Sequence, residues 1–408
     1  MSKFSALFAV SASLLLAATN AMAQSSPSHT WAGALSDLSD RGVELRFQAL
    51  STIEGFIPRD GSTEYRFGGK LTANAKFDLG RLAGLTGLSI TARFEQNLGS
   101  SVNGMGGALL PFNTSMAFPG EGQQAGDLTA FYITQQIGAF SFSIGKFDMV
   151  SRATGIPLVG GGVMGGFRHL GLAAPATGVT PPYLFGAMAT YSTPWATFAV
   201  IAYDAESAVR RDPSRGLFRN GATVLASATV PVTISDLRGY HGIKLVTSST
   251  KGTDLSRISE TLLPDAARAA VPRKGGVWYA AYSFQQNLWQ DKHDPKRAWG
   301  VYGQVSTSDS NPTYLSLSYL LGIGGTSPMP GRAGDSFGIG FFRYTISKDL
   351  ISQLYPVLPL RDERGYEFYY NAKLTEVFRT TFSAQWVRPV AANAAHALIL
   401  GLRTQLDF

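Results

Sequence analysis

The sequence predicts an all-β chain, a transmembrane antiparallel β-barrel of about sixteen strands with short periplasmic turns and long external loops. Three observations carry this. Apolar and polar residues alternate with period two along the chain. The alternating segments run about 9 to 12 residues, the length a tilted strand needs to cross a bilayer, where globular strands average nearer 5 or 6. The links between segments switch between tight turns and long loops.

Composition frames the same reading. Of 408 residues only 15% are charged and 45% are hydrophobic, against about 25% charged in ordinary soluble domains. Such a chain does not stay disordered, and its surface does not wholly face water. The absence of cysteine excludes disulfide scaffolds, thiolate metal sites and cysteine nucleophiles. The net charge of +7 is carried by bases scattered singly among acids, so no nucleic-acid partner is expected.

Lys3 precedes an apolar run from Phe4 to Ala18, and Ala21-Met22-Ala23 places small residues where a signal peptidase reads. Residues 1–23 are therefore expected to be a signal peptide cut after Ala23, residues 24–40 a periplasmic segment, and residues 41–408 the barrel. The run of about 15 residues falls short of the roughly 20 that a spanning helix requires.

The elements follow in order. Val43, Leu45, Phe47 and Ala49 alternate with Glu44, Arg46 and Gln48. Tyr65, Phe67, Leu71, Ala73 and Phe77 oppose Arg66, Lys70, Thr72, Asn74 and Lys76; Leu88, Ile90, Ala92 and Phe94 oppose Thr91, Arg93, Glu95 and Asn97. Further segments begin near Thr129, Phe140, Gly186, Ala196, Thr223, Leu237, Gly275, Arg297, Thr313 and Asp335. The uncharged stretch from Gly186 to Tyr203 is two strands rather than a helix, because Ser192, Thr193 and Pro194 interrupt it with a turn. In the last third, Phe368, Tyr370, Ala372 and Leu374 oppose Glu367, Asn371 and Lys373. Phe378, Phe382, Ala384 and Trp386 oppose Arg379, Thr381, Ser383 and Gln385. Finally, Leu398, Leu400, Leu402, Leu406 and Phe408 oppose Gly401, Arg403, Gln405 and Asp407.

Tight links are expected at Gly138-Ala139, Thr193 to Ala196 and Thr375 to Val377, and long ones over 99–128, 149–185, 205–222 and 248–274. The rhythm breaks at Gln285 to Lys296 and Gly322 to Gly334, long where a turn is expected, and at Thr307 to Pro312, short where a loop is expected. A sheet in hydrocarbon must close, since an unpaired strand edge has no water to satisfy it. The 12% of aromatic residues then serve as interfacial girdles, and a terminal Phe408 on an amphipathic strand is similar to the signal read by barrel-assembly machinery.

Closure sends the polar face into the lumen. Glu44, Arg46, Arg66, Lys70, Arg93, Glu95, Glu367, Lys373, Arg379 and Arg403 are the candidate pore-lining, solute-contacting residues, brought together from the two ends of the chain. Guanidinium donors and carboxylate acceptors of mixed sign suit neutral, hydroxyl-rich solutes. By analogy with loops that fold inward and narrow other barrels, Arg152 and Arg168 are constriction candidates. The motif Gly160, Gly162, Gly165 lacks the flanking strand and helix of a dinucleotide site, and the histidines lie far apart, so no cofactor, metal or catalytic residue is expected. Asp362 and Glu363 read as a solvated turn.

The chain also resembles the carbohydrate-selective (OprB-type) outer-membrane porins. The resemblance rests on Trp299-Gly300-Val301-Tyr302, Asp309-Ser310-Asn311-Pro312, Pro330-Gly331-Arg332 running into Asp335-Ser336-Phe337-Gly338-Ile339-Gly340, Glu367-Phe368-Tyr369-Tyr370-Asn371, Arg388-Pro389 and Leu400-Gly401-Leu402-Arg403. Asp40-Arg41-Gly42-Val43 and Phe94-Glu95-Gln96-Asn97 resemble the family's opening. It implies a sixteen-stranded outer-membrane barrel that passes sugars through a constricted pore. Expected partners are sugars or other small polar solutes, outer-membrane lipid and lipopolysaccharide, the assembly machinery, and two further copies in a homotrimer. A barrel hydrolase of lipid or peptide, a porin for small organic anions and a plugged structural barrel are the alternatives.

Overall fold

The computed structural model describes residues 31–120, 126–153, 165–206, 216–262 and 272–408. The expected signal peptide, its cut after Ala23, and Gly160 and Gly162 lie outside these residues.

Helix α1 (Trp31–Asp40) occupies the end of the segment expected to precede the barrel. It stops at Gly42, whose φ of +95° only glycine adopts freely; a Cβ there would lie 2.9 Å from that of Arg81. The first nine strands are β1 (Val43–Pro58), β2 (Glu64–Asp78), β3 (Leu88–Gly99), β4 (Asp127–Ile137), β5 (Phe140–Asp148), β6 (Tyr183–Ser192), β7 (Thr197–Asp204), β8 (Ala222–Ile234) and β9 (Leu237–Ser248). The two-residue strands β10 (Gly252–Thr253) and β11 (Arg273–Lys274) pair with each other in an external loop and were not expected. The barrel resumes with β12 (Val277–Gln290), β13 (Ala298–Ser308), β14 (Leu315–Thr326), β15 (Ser336–Ile346), β16 (Glu363–Lys373), β17 (Phe378–Arg388) and β18 (Ala397–Asp407).

Sixteen strands form one closed antiparallel barrel, each pairing with its chain neighbours, β9 with β12, and β1 with β18. The closing seam runs from Gln48↔Asp407 to Pro58↔Ala397, and Phe47 and Phe408 exchange backbone hydrogen bonds of 3.0 and 2.8 Å at its periplasmic end. No barrel edge is left for hydrocarbon to strand. Alternation sorts the faces as the sequence implies: on β18, Leu398, Leu400 and Leu402 are exposed outside while Ile399, Arg403 and Gln405 are buried inside. Outward Leu71, Phe94, Phe142, Ile144 and Leu245 extend the same lipid-facing skin.

The strands where the link rhythm breaks are longer than expected. Extension of β12 to Gln290 and of β14 to Thr326 reduces the periplasmic links to residues 291–297 and 327–335. The first of these is tied by Asp291, whose carboxylate accepts from the backbone of His293 and Asp294 and from Arg297. External links 59–63 and 309–314 are short, whereas those after β3 and β5 are long, and their described residues 100–120 and 165–182 turn into the lumen.

Candidate functional site

The two long inward loops are held by carboxylates that rise from the barrel wall. Glu54 on β1 accepts from the backbone N–H of Val102 at 3.2 Å, from Asn113 Nδ2 at 2.8 Å and from the guanidinium of Arg168. Arg168 also donates to Thr52 Oγ1 at 2.9 Å and to Ser383 Oγ at 3.2 Å. Its backbone N–H and that of His169 donate to the two oxygens of Glu367, at 2.8 and 2.9 Å. Arg403 donates to Gly166 O at 3.0 Å, and Gln385 to Phe112 O at 2.8 Å. Glu363 accepts from the backbone N–H groups of Leu109, Leu110 and Val390. Far from forming a solvated turn, Glu363 is fully buried, and only its neighbour Asp362 sits at the rim, paired with Arg343 at 2.6 Å. These buried charges persist because each is met by several charge-assisted hydrogen bonds.

Above this polar floor the loops bury rings. Phe167 meets Tyr369 edge-on at 4.8 Å, and His169 stacks on Phe342 at 4.1 Å. Leu110, Phe112 and Leu172 join Tyr302 and Tyr344 in the same cluster. Burial alone pushes the fully enclosed His169 down to about 3, so the ring is neutral at ordinary pH, with Nδ1 accepting from Gly171 N at 3.1 Å. The side of the lumen beneath β1 and β13–β18 is therefore solid.

The opposite side is open. A cavity of about 600 Å³ lies between residues 174–182 and the inner faces of β6–β9, where Met188, Ile201, Leu225, Ser227 and Lys244 line it with Arg152. Arg152 follows β5 on the short helix Met149–Ala153 and lies over the rings of Tyr132 and Phe147 at 5.3 and 5.2 Å, a cation–π arrangement. A second cavity of about 510 Å³ opens at the periplasmic end between Glu44, Arg46, Gln48, Asn74, Lys76, Thr91 and Arg93. Between the two is a narrow gap shared through Arg93 on one side and Phe118 and Val150 on the other. Its walls carry a charge-balanced quartet: Lys70–Glu95 at 2.8 Å, Arg93–Glu95 at 3.0 Å and Arg93–Asp148 at 3.2 Å, with Tyr183 donating to Glu95 at 3.3 Å.

The twelve residues proposed from sequence thus do not form one ring. Lys70, Arg93 and Glu95 meet at the gap. Glu44 and Arg46 pair at the periplasmic mouth, Arg66 pairs with Glu64 at the external rim, and Lys373 and Arg379 bind Glu376 and the Gly334 carbonyl at the periplasmic rim. Arg152 faces the open cavity. Arg168, Glu367 and Arg403, each about 1% exposed, offer no surface to a solute and anchor the loops instead. Glu54 is not among the sequence candidates because β1 runs further than the alternation counted, and Thr52-Glu54-Phe56 continues its period; Asp148 is the last residue of β5, at the expected end of that strand, and no alternation is read there.

The sequence profile of the carbohydrate-selective porin (OprB) family matches residues 63–408. The chain belongs to this family. OprB of Pseudomonas putida in its high-pH structure shares the fold with a TM-score of 0.78 at 17% identity, over 93% of this chain and 97% of that one. Its low-pH structure matches at 0.56 and 16% identity, over 93% and 96%. A loop L8 deletion mutant of OmpT, an outer membrane protein of Vibrio cholerae, matches at 0.51 and 12%, over 90% and 100%. No curated protein sequence matches the chain. This OprB-family barrel is a porin of the bacterial outer membrane, with small polar solutes of the carbohydrate class as its cargo.

Proposed function

We propose that the porin passes neutral, hydroxyl-rich solutes of monosaccharide size along the open side of the lumen, with the Lys70–Arg93–Glu95–Asp148 quartet as its narrowest point and Glu44, Arg46 and Arg152 as further contacts. The observation that carries this is the asymmetry of the lumen: the loops are pinned against the wall of β1 and β15–β17, the larger cavity lies beside β6–β9, and the second opens at the periplasmic end of β1–β3. At the gap Arg93, whose side chain is 18% exposed, is the member a solute reaches, while buried Lys70, Glu95 and Asp148 lie behind it and balance its charge, so a hydroxyl group meets a guanidinium donor without a net field to hold an ion. Hydrophobic walls flanked by Arg152 over two rings suit the apolar face of a sugar.

A second reading, a porin for small organic anions, is supported by Arg152 and Lys244, which line the upper cavity with no carboxylate among its described lining residues. The matched charges at the gap favour the neutral cargo. Trimeric assembly and recognition of Phe408 by the barrel-assembly machinery belong to the same proposal, the latter supported by the place of Phe408 on the closing seam, where it exchanges backbone hydrogen bonds with Phe47.

Liposome swelling with a graded set of sugars and organic acids tests the reading. Glucose is expected to enter faster than a disaccharide and faster than an organic anion of its own size. Faster entry of the anion, or no sugar entry from channels that conduct salt, contradicts it.

A further inference from the structure

Arg343, Arg364 and Arg388 stand side by side across three strands at the external rim. Arg343 on β15 is registered opposite Arg364 on β16, and Arg364 opposite Arg388 on β17. Their parity is that of the lipid-facing residues. Two positions nearer the membrane centre, Phe341, Tyr366 and Trp386 form a parallel row of registered rings, with centroids 4.9 and 6.0 Å apart. The row of bases continues past β17: the His396 ring lies 4.8 Å from Trp386, just before β18, and its carbonyl accepts from the N–H of Arg59, just beyond β1. Arg361 joins it, fixed by the carbonyls of Pro389 and Ala394 at 2.9 and 2.8 Å.

Directly opposed side chains have Cβ atoms about 4.5–5.5 Å apart, and like charges placed so destabilise a sheet. Here only Arg343 is matched, by Asp362. Among the described residues Arg59, Arg364 and Arg388 form no ion pair, and Arg388 Nε is buried without a hydrogen-bond partner. Desolvation, and then the positive charges of Arg361, Arg388, Arg59 and Arg364, hold His396 below its ordinary range. Among the described residues the positive field is thus concentrated and, Asp362 apart, unanswered.

Depth identifies the missing anion. Aromatic girdles mark where hydrocarbon meets headgroups, and two strand residues raise the bases roughly 7 Å above that row, to the level of headgroup phosphates. Guanidinium forks bind phosphate bidentately. We propose that this row binds the phosphorylated sugar headgroup of an outer-leaflet lipid against the outer wall of β15–β18, the acyl chains lying over Phe341, Tyr366 and Trp386. The committed source is a lipid, because the same strands supply both the phosphate level and the apolar surface beneath it.

The test is titration of delipidated barrel in detergent with bisphosphorylated lipid A, read by native mass spectrometry, with the dephosphorylated lipid and inorganic phosphate as separate arms. The expected result is a retained lipid whose affinity falls at least about tenfold in the Arg364→Gln/Arg388→Gln double variant. Inorganic phosphate does not displace it, and single-channel conductance is unchanged, since both side chains face away from the lumen. A Lys292→Gln/Lys296→Gln variant, which removes equal charge at the periplasmic end, keeps wild-type affinity. Equal binding of the dephosphorylated lipid, wild-type affinity in the double arginine variant, or phosphate alone competing as well as the lipid overturns the proposal.

Discussion

Glu54 and Arg168, 114 residues apart in sequence, form an ion pair inside the barrel with neither side chain exposed to solvent. One partner belongs to the wall and the other to the inward loop, so the pair decides where the loop rests and, through it, which side of the lumen stays open. Removing one partner of such a pair leaves the other charge buried and alone, at a cost of about 3–5 kcal/mol.

Arg168→Met is therefore expected to release the loop while the strand ladder keeps the barrel closed. Single-channel recordings should show larger and noisier openings than the wild type, with heat-modifiable electrophoretic mobility retained. Steady wild-type conductance from Arg168→Met would mean that the loop is held by other contacts.

His169 makes the same docking sensitive to acid. Its folded value of about 3 lies below the 6.5 of a solvated histidine. Above pH 6.5 the ring is neutral whether the loop is docked or released, and the proton has no effect. As pH falls from 6.5 toward 3, the released loop takes up a proton that the docked loop refuses, and docking weakens by roughly 1.4 kcal/mol per unit. Channel noise should rise on acidification through this window, and the rise should be smaller in His169→Asn, which keeps an acceptor for Gly171 N but has no proton to gain. Equal acid responses in the two proteins would remove His169 from the account.

At the gap, Arg93→Gln leaves Asp148 without its cation and Glu95 with Lys70 alone. The reversal potential across a salt gradient is expected to shift toward cation selectivity. A shift toward anions, or none, would place the narrowest point elsewhere.

Phe408 closes the seam through backbone hydrogen bonds to Phe47 and leaves its ring partly exposed. A Phe408→Ala chain keeps those backbone bonds. It should reach the outer membrane of cells in lower yield yet conduct normally once refolded in vitro; an equal loss in both settings would make the ring a stability element rather than an address.

The barrel was legible because its strands obey one rule for their whole length: lipid on one face forces alternation, and closure leaves no strand exempt. All sixteen segments marked from sequence become barrel strands. The lumen was less legible. Parity tells that Arg403 points inward, but not that a loop 237 residues away will cover it. The burial of Glu363 and Glu367 likewise depends on backbone amides of residues 109, 110, 168 and 169, which no side-chain pattern announces. Arg152 was found by analogy with inward loops and does face the open cavity; Arg168, chosen on the same ground, faces the wall.

The chain has no cysteine, so single thiols can map the route directly. Ser227 lines the open cavity, whereas Ser383 lies 1% exposed behind the docked loop. A bulky water-soluble thiol reagent added to open channels should block current and glucose entry through Ser227→Cys while leaving Ser383→Cys unmodified. Block at Ser383→Cys with Ser227→Cys untouched would place the passage on the opposite side of the lumen and contradict the account.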